Sequence, residues 1–598
     1  MRSQASRPRK TLAALAALGI GSLLLAGCTT GGNTDPSESA TNTGGSGDAS
    51  TVRLAEVNEL TSFNPNHTNQ NLDINSKVSY LTHASFLYVT NEFEIAYDES
   101  FGTVEKLSDE PLTVEYTIAE GRTWSDGTAI TADDMLFYWA VNSGHFDDVT
   151  LDEATGEAIS GSTLFQIAGS TEGLGQSQLP VISEDNMSMT ITYDQPYVDW
   201  NLIDPIDQPI HVVAEKSGTT VEELVNAIMT APEGDPAAPT DSKDPVLTAA
   251  ADFWNSGFDV TSLPSDESLF LSNGPFIVSA WEPTQSLTLV KNESYEGMRE
   301  AQFDQLVIRF IGDSNAQVTG LQNGEVDIIN PQASADTLTQ LEALPGVEVI
   351  TDNQLSYDHI DLTFAGVFAD PAVREAFLLT IPRQQILETI VTPISPDSEV
   401  LNSQIFVPAN VDYADAVAAN GSSAYGEVDI ERAKELLAGQ TPTVRILYNT
   451  DNPNRVDAFQ AIQASAAEAG FNIVDEGDPN WGSRLGSDDY DASIFGWISP
   501  GVGTTALPQI FAAGGGGNYN KYNNARVTEL ANATQTMTDP ADVVAAQIEI
   551  DTLTFEDAYG LPLFQSPGVL AYSDRLGGVE YMANQTGPIW NFWEWTIE

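Results

Sequence analysis

The feature that most constrains this chain is its only cysteine, Cys28, which closes an apolar run near the start of the sequence. With one cysteine among 598 residues, no disulfide can form within the chain and no cluster of thiolates can hold a metal ion. The fold must therefore be stabilised by packing, and the 41% hydrophobic content is sufficient for a large core. A chain of this length is expected to form roughly two or three domains.

The residues before Cys28 have the composition of a secretory signal peptide. Basic residues precede an apolar or small stretch over residues 11–25, and Ala26 and Gly27 supply the small residues needed for cleavage. About fifteen apolar residues are too few to cross a hydrocarbon core of roughly 30 Å, so residues 1–27 are predicted to be removed rather than to span a membrane. Leu25-Ala26-Gly27-Cys28 resembles the bacterial lipobox, which implies that Cys28 is lipidated. The alternative is ordinary cleavage near Ala26, with Cys28 left as a free thiol.

A flexible linker is predicted to follow the lipidated cysteine, so that residues 28–50 form the anchor and its leash. Residues 29–50 are rich in Thr, Gly, Ser, Asn and Asp and contain almost no apolar side chain that could offset the entropy of ordering. A coil of about 22 residues has a root-mean-square reach of roughly 25 Å. We therefore expect a folded body, beginning near Thr51, that is held on the extracytoplasmic face of the cell membrane by lipid.

The charge of the chain excludes some partners without identifying a ligand. The sequence has 23 Lys and Arg against 86 Asp and Glu, a formal net charge of −63. This balance argues against binding to nucleic acid and against electrostatic adsorption to anionic lipid. The acidic residues are dispersed, which is typical of a solvated, self-repelling surface.

Strand-like and helix-like segments alternate, which predicts the α/β class. The predicted strands are Thr51–Val57, Leu112–Ile118, Met187–Tyr193, Ser286–Lys291, Gln305–Phe310 and Thr443–Tyr448. The predicted helices are Ala132–Val141, Ala372–Thr380, Ile430–Ala438 and Ala458–Ala469, with starts indicated at Thr131 and at Asp370-Pro371. Inserts rich in Gly, Ser and Asp, at residues 143–175 and 230–268, are predicted to be surface loops.

A set of motifs resembles family 5 of the bacterial extracellular solute-binding proteins, the peptide-binding lipoproteins of ABC importers. The segment from Leu112 to Trp139 is similar to the signature of that family, with turns at Gly121 and Gly127 and a helix capped by Thr131. Further motifs follow in the family's order: Asn273-Gly-Pro-Phe276, Trp281, Asn292, Tyr295, Ile308-Arg-Phe310, Asp313, Leu321-Gln-Asn-Gly-Glu-Val-Asp327, Phe368-Ala-Asp-Pro-Ala-Val-Arg374, Asp429–Leu437, Tyr490-Asp491 and Gly496-Trp497.

The resemblance implies a two-lobed fold of the type II periplasmic binding proteins, with an extra domain inserted in the first lobe and a hinged cleft between the lobes. The first lobe is predicted at residues 51–75, 195–350 and 566–598, the inserted domain at 76–194, and the second lobe at 351–565. Closure of such a cleft is a ligand-driven shift between open and closed states, and it needs no chemistry on the ligand. The implied partners are a peptide or other small solute and the permease subunits of an importer, and we expect a monomer.

The family also implies which residues line the cleft. Backbone groups of Asn69-Gln70-Asn71 and of Gly496-Trp497-Ile498 correspond to the segments that receive a ligand main chain by β-augmentation, which gives affinity without a side-chain code. Trp481 and Asn518-Tyr519 correspond to further cleft positions. The alternative interpretation is an ordinary polar turn at residues 69–71 and a core tryptophan at position 497.

One departure from the family affects the choice of ligand. Many peptide binders continue after the Gly-Trp pair with an Asp that pairs with the peptide ammonium group, whereas this chain continues Ile498-Ser499-Pro500-Gly501. The residues before the pair, Ile494-Phe495, offer no base for a peptide carboxylate. Peptide is thus implied by the family alone. The alternatives are another solute, such as an oligosaccharide, an opine-like compound or a metal chelate, and a signalling or adhesion lipoprotein.

Enzymatic motifs are missing from the sequence. The five histidines are widely scattered, with no His-Glu-x-x-His spacing and no Gly-x-Ser-x-Gly elbow. Loops with Asp, Asn and Gly at the alternate positions that hard metal ions require are not apparent. We predict no catalytic residue, no cofactor and no metal site.

Overall fold

The computed structural model describes residues 50–151, 158–169, 171, 173–240, 243–498, 502–504 and 506–598. The predicted signal peptide, Cys28 and nearly all of the predicted linker lie outside the described residues. Within the described ranges, no helix has both the length and the apolar composition needed to cross a membrane.

Strands and helices alternate along the described chain. The strands are β1 Thr51–Glu56, β2 Leu87–Val89, β3 Ile95–Tyr97, β4 Gly102–Asp109, β5 Leu112–Ile118, β6 Thr150–Leu151, β7 Ala158–Ser160, β8 Val181–Ile182, β9 Ser188–Thr192, β10 Phe276–Glu282, β11 Ser286–Lys291, β12 Gln305–Phe310, β13 Ile328–Ile329, β14 Val347–Leu362, β15 Thr443–Tyr448, β16 Asn472–Asp475, β17 Ala492–Ile498, β18 Gly560–Ser573, β19 Leu576–Gly577 and β20 Thr596–Ile597. The helices are α1 Asp73–Thr82, α2 Ala132–Asn142, α3 Ile210–Ser217, α4 Val221–Thr230, α5 Pro245–Trp254, α6 Ser314–Gln322, α7 Ala335–Glu342, α8 Pro371–Leu378, α9 Arg383–Ile390, α10 Tyr413–Ala419, α11 Ile430–Leu437, α12 Pro453–Ala469, α13 Ala506–Phe511, α14 Ala525–Ala533 and α15 Pro540–Glu556.

One mixed sheet runs through both lobes, in the order β10-β11-β12-β1-β13-β18-β14-β17-β15-β16. We call the half from β10 to β13 the first lobe and the half from β17 to β16 the second lobe. The long strands β14 and β18 are antiparallel and connect the halves, because β18 pairs with β13 at one end while β14 pairs with β17 at the other.

The pairing of β14 with β18 is interrupted where the chain passes between the lobes. Asn353 pairs with Pro567 and Tyr357 pairs with Gln565, so that three residues of β14 stand against one of β18. Such a bulge bends a strand and breaks the ladder locally. The predicted lobe boundaries, at residues 350/351 and 565/566, fall close to this bulge and stay a prediction.

Each lobe has its own apolar core. The first lobe and the small β4-β5-β9-β8 sheet share one buried cluster, which includes Val52, Tyr116, Trp139 and Leu289. The second lobe has a separate cluster built on β15 and β17 and on α8, α9 and α12. Two smaller clusters accompany them, one around α6 and α7 that includes Ile394 and one around α13, α14 and α15. Separate large cores joined by two strands are the arrangement expected for lobes that move as separate bodies.

The signature segment is structural. The Thr131 side chain caps α2, and its backbone N–H donates to the Asp134 carboxylate at 2.9 Å, which completes a capping box. The turn before it closes through a bond from Gly127 N–H to the Trp124 carbonyl at 2.9 Å. Helix α2 then buries Trp139 against the small sheet. The helix start predicted from the sequence is confirmed.

The loop predicted at residues 230–268 is wrong in its middle, where α5 forms. The Asp244 carboxylate accepts from two amides of the first turn, Pro245 opens the helix, and Leu247 and Trp254 are buried. The Gly, Ser and Asp residues on both sides are typical of loops, and for this reason the short apolar stripe of α5 was not recognised as a helix. The loop predicted at residues 143–175 likewise contains the paired strands β6 and β7.

Candidate functional site

Besides a cavity of about 580 Å³ that sets Val502 and Gly503 against Val198, Asp199 and Leu202, two neighbouring cavities lie between the lobes. The first, of about 430 Å³, sets Val502 of the second lobe against a first-lobe wall, and Tyr80, His83, Tyr138, Asp204, Asp207 and Arg299 contribute to that wall. The second, of about 350 Å³, sets Ile498 at the end of β17 against Ser76, Lys77 and Tyr80 of α1. Asn584 and Thr586 line both cavities. These cavities are the candidate ligand site.

The end of β17 offers an open backbone edge beside this cleft. On one side β17 pairs with β14 along its whole length, from Ala492 to Ile498. On the other side the pairing with β15 stops at Ile494. Within the described part of the chain, residues 495–498 thus have a strand neighbour on one edge only. An edge of this kind can accept an extended main chain as an added strand.

An aromatic cluster surrounds the open edge. The Trp497 ring stacks on Tyr519, with centroids 5.8 Å apart and planes at 9°, and is also parallel to His359 at 6.4 Å. Phe495 lies against Trp497 and against Trp481, at centroid distances of 5.3 and 6.0 Å. The structure therefore brings together the predicted residues Trp481, Gly496, Trp497, Ile498 and Tyr519. Ile498 is 54% exposed and lines one of the cavities, whereas Trp497 is half-buried, packs against an apolar cluster of the second lobe and lines neither cavity.

Position 496 is occupied by glycine, and its neighbours leave little room for a side chain. A Cβ added there would lie 3.0 Å from the Asp358 carboxylate and 3.2 Å from the Arg455 guanidinium. Those two groups form an ion pair at 2.9 Å, and Arg455 also lies over the Trp481 ring at 5.1 Å. A glycine thus lets a charged pair pack directly against the backbone at the open edge.

Asn518 acts on its own loop. Its side-chain amide donates to the carbonyls of Ala512 and Tyr522, at 2.8 and 2.7 Å, and its carbonyl accepts from Tyr522 N–H at 2.9 Å. Gly517, just before it, would place a Cβ 3.0 Å from the Trp497 ring. Asn518 therefore holds the loop that presents Tyr519 to Trp497.

The predicted segment Asn69-Gln70-Asn71 lies in a turn before α1 and lines neither of the two described cavities. The Gln70 side chain accepts from the Thr61 hydroxyl at 2.7 Å, and its carbonyl accepts from the Asn75 amide at 2.9 Å. Asn69 and Asn71 are exposed. A ligand role for this segment stays a prediction.

Sequence reasoning missed the first-lobe wall. Ser76, Tyr80 and His83 of that wall follow each other at helical spacing along α1 and its end, a signal that was available in the sequence. Asp204, Asp207 and Arg299 come from distant segments, and no local pattern marks them. Only the fold brings them to one cavity.

The cations of the cleft are paired inside the protein. Lys77 Nζ lies 2.7 Å from the Glu56 carboxylate, and both side chains are buried. Arg299 lies 3.8 Å from the fully buried Asp98, donates to the His83 carbonyl at 3.1 Å, and stacks over Tyr80. Their positive charges are therefore largely cancelled by protein carboxylates.

Two carboxylates of the cleft have hydrogen bonds but no ion pair among the described residues. Asp207, 7% exposed, accepts from Asn66 at 2.9 Å and from the Trp254 indole at 3.3 Å. Asp204 accepts from Phe86 N–H at 3.0 Å. Burial raises the pKa of Asp204 and of Asp207 to about 6, because a charge out of water is costly. Burial also lowers the pKa of His83 to about 4, so that His83 is neutral at pH 7.

At neutral pH the first-lobe wall therefore presents two carboxylates, and the charge of Arg299, which acts to lower the pKa of Asp204, offsets only that one. Tyr138 lies close to both carboxylates, and its pKa is raised by burial and by their charge. No group of three or more His, Cys, Asp or Glu side chains stands ready to hold a metal ion anywhere in the described ranges.

Comparison with protein families and with known sequences agrees with this geometry. The family model for bacterial extracellular solute-binding proteins, family 5 Middle, matches residues 97–519. The oligopeptide-binding protein OppA of Mycobacterium bovis is 26% identical over 554 residues, which cover 88% of this chain and 82% of the relative. An uncharacterized lipoprotein of Mycobacterium tuberculosis is 24% identical over 535 residues, which cover 86% of this chain and 87% of the relative.

Solved structures share the fold. The periplasmic EDTA-binding protein EppA matches with a TM-score of 0.78 and 24% identity, over 93% of this chain and 98% of that one. The oligopeptide-binding protein AppA of Bacillus subtilis, in complex with a nonapeptide, matches with a TM-score of 0.70 and 18% identity, over 92% of this chain and 99% of that one. Since the family model covers well over half of the sequence, this chain belongs to family 5 of the bacterial extracellular solute-binding proteins, which serve ABC importers.

Proposed function

We propose that this protein is the lipid-anchored receptor of an ABC importer that captures peptides in the cleft between its lobes and delivers them to the permease. The observation that carries the proposal is the open edge of β17, where pairing with β15 stops at Ile494 and Ile498, at the end of the strand, lines a cavity between the lobes. A peptide main chain added at this edge makes hydrogen bonds that every sequence can make. Trp497 and Tyr519 supply a flat wall for varied side chains.

The charges of the cleft support a ligand with an ammonium group. Ile498 stands where many family members have the carboxylate that receives it. On the opposite wall, Asp204 and Asp207 line a cavity of about 430 Å³ and form no ion pair within the described chain, although the charge of Arg299 acts on Asp204. A buried carboxylate gains from an ammonium group because the pair replaces an uncompensated charge. In this proposal the first lobe provides the negative charge that the second lobe lacks.

A metal chelate is the second candidate, because two proteins of similar fold are associated with chelates. EppA is by its name an EDTA-binding protein, and a structure of NikA from Brucella suis contains Fe(III)-EDTA. A polyanionic chelate would need cations in the cleft, whereas Lys77, Arg299 and Arg455 are already paired with Glu56, Asp98 and Asp358. The charge distribution therefore ranks peptide above chelate. An opine-like solute has support of the same kind, since the binding protein AgaA, a neighbour in fold, is described in complex with agropinic acid. An oligosaccharide, or a role in signalling or adhesion, has no comparable support.

A thermal-shift screen of the protein separates these ligand classes. The probes are a mixed tripeptide to pentapeptide pool, Fe(III)-EDTA, nickel with L-histidine, and an oligosaccharide mixture. A ligand at 100 times its Kd adds about 2.7 kcal/mol to the free energy of unfolding. We expect a shift with the peptide pool only. A shift with Fe(III)-EDTA and none with peptides would replace the proposal by its second candidate.

The lipid anchor is tested separately. Cells expressing the chain are labelled with radioactive palmitate, with Cys28→Ala as the matched control. We expect label in the wild type and none in the variant. An unlabelled wild-type protein would leave Cys28 a free thiol and remove the anchor, without bearing on the ligand.

A further inference from the structure

The lobes also touch each other directly, beside the ligand cavity. Asp199, in the segment after the small domain, is 5% exposed, and its carboxylate accepts from Thr504 N–H at 2.7 Å and from the Thr504 hydroxyl at 3.1 Å. Thr504 belongs to the second lobe, just before α13. Bonds from two donors to one ionised carboxylate are among the stronger hydrogen bonds in proteins.

A second set of bonds lies next to the first. Val198 N–H donates to the Gln535 carbonyl at 2.9 Å, which again joins the two lobes. The Gln535 side chain, 2% exposed, donates to the carbonyl and to the hydroxyl of Thr504, each at 3.1 Å. Gln535 thus fixes Thr504 in the position that Asp199 recognises.

Both sides of the contact are shaped for close approach. Gly503 has a φ of +83°, which favours glycine, and a Cβ there would lie 2.8 Å from Leu202 and 3.2 Å from the Asp199 carboxylate. On the other side, Tyr197 is buried and stacks on Tyr193, at a centroid distance of 5.9 Å. The segment that carries Asp199 is therefore held by the core of the first-lobe side.

We propose that Asp199, Thr504 and Gln535 form a latch that holds the lobes together and lies outside the two cavities of the candidate ligand site. We call these three residues the interlobe latch. It stabilises the closed state by contacts that exist whatever solute is in the cleft. Within the interlobe latch, Asp199 is the positioning residue, because its carboxylate accepts from both donors of Thr504.

The latch changes how affinity is set. If the binding-competent closed state is a fraction of the empty protein, the apparent Kd equals the intrinsic Kd divided by that fraction. Bonds made only when the lobes are together raise the fraction before any ligand arrives, and they also slow opening after capture. Loss of the latch should weaken binding of every ligand by a similar factor.

Hydrogen exchange of the empty protein tests the latch directly, because the amide protons of Val198 and Thr504 are its backbone donors. In the wild type we expect both amides to be protected. In Asp199→Ala we expect Thr504 to exchange at least about tenfold faster, the loss of a charge-assisted bond. Asp194→Ala is the matched control, since that exposed carboxylate accepts from Gln178 within the small domain. Its exchange at Val198 and Thr504 should equal that of the wild type.

A second variant and a binding measurement also test the interlobe latch. Thr504→Val removes only the hydroxyl donor of a half-buried residue, and we expect an intermediate increase in exchange, so the test survives if Asp199→Ala fails to fold. With the peptide pool as probe, Asp199→Ala should raise Kd by up to about tenfold, a limit reached when the latched state becomes a minor fraction of the empty variant. The latch would be overturned if the Thr504 amide is unprotected in the wild type. It would also be overturned if exchange of that amide is the same in Asp199→Ala and in Thr504→Val as in the wild type. Because exchange is read on the empty protein, this result is independent of whether peptides bind.

Discussion

At the scale of single residues, Trp497 combines two properties that a core tryptophan does not. Its ring is stacked on Tyr519 and parallel to His359, yet the side chain is half-buried and the strand that carries it ends in the cleft. Trp139, by contrast, is a fully buried residue of α2. The two tryptophans should therefore respond differently to truncation, since one is expected to contact ligand and the other only protein.

We predict that Trp497→Ala weakens peptide binding by roughly 2 kcal/mol, about thirtyfold in Kd, because a central aromatic wall is lost. Its unfolding midpoint should fall little. Trp139→Ala is the control and should cost about 3–5 kcal/mol of stability through the cavity it leaves. Calorimetric titration and urea unfolding measure both quantities. A loss of stability in Trp497→Ala as large as in Trp139→Ala would place Trp497 in the core.

Asp207 should make peptide binding depend on pH. Burial raises its pKa to about 6, so below pH 6 a proton occupies the carboxylate and must be displaced by the ligand ammonium group. We predict that the affinity for trialanine falls by up to about tenfold per pH unit below 6. N-acetylated trialanine, which has no ammonium group, should bind weakly and without this dependence. Equal affinity for the two peptides at pH 7 would contradict the role of the carboxylate.

The same shift predicts the stability of the empty protein. The folded pKa of Asp207 lies above the unfolded value, so its contribution is present below about pH 4 and is lost as pH rises through about 6. A shift of two units corresponds to roughly 3 kcal/mol. Asp207→Asn should therefore remove part of the fall in unfolding free energy between pH 4 and pH 7. Asp194→Asn, at an exposed position, should leave that fall unchanged.

At the scale of elements, local sequence rules predicted those strands and helix starts whose signal lies within a few neighbouring residues. Ser286–Lys291, Gln305–Phe310 and Thr443–Tyr448 have the predicted bounds, because alternation of apolar and polar residues is enough to specify a strand with one buried face. Helix α8 starts at Pro371 behind the cap Asp370, as predicted. Helix α5 was missed because its flanks carry most of the composition signal.

The missed helix depends on its cap. We predict that Asp244→Ala costs about 1 kcal/mol of unfolding free energy, because the bonds from Val246 N–H and Leu247 N–H to its carboxylate are lost. Asp252→Ala is the control, since that residue lies on the exposed side of the same helix and caps nothing. Urea unfolding followed by tryptophan fluorescence compares the two. A cost at Asp252 equal to that at Asp244 would contradict the capping argument.

At the scale of the whole molecule, the site is made by contacts that no local pattern encodes. Asp199 and Thr504 are 305 residues apart in sequence and meet only because two lobes close on each other. The family motifs predicted the lobes and the position of β17, but the paired state of Arg299 or Lys77 depends on Asp98 and Glu56 in other elements. Charge complementarity in the cleft is therefore readable from the fold and not from the sequence.

The excess of acidic residues is also a property of the whole molecule. Whether it lowers the stability of the fold can be tested with salt. The 23 basic residues can neutralise at most 23 of the 86 carboxylates, which leaves 63 negative charges over the full sequence, and those in the folded body repel one another. Salt screens this repulsion but also weakens ion pairs such as Lys77 with Glu56, and it weakens buried pairs least. We predict that the urea midpoint rises steadily as NaCl increases from about 0.01 to 0.5 M, over which the screening length falls from roughly 30 Å to below 8 Å. A midpoint that falls with salt would mean that exposed ion pairs, rather than self-repulsion, dominate the electrostatic free energy of this protein.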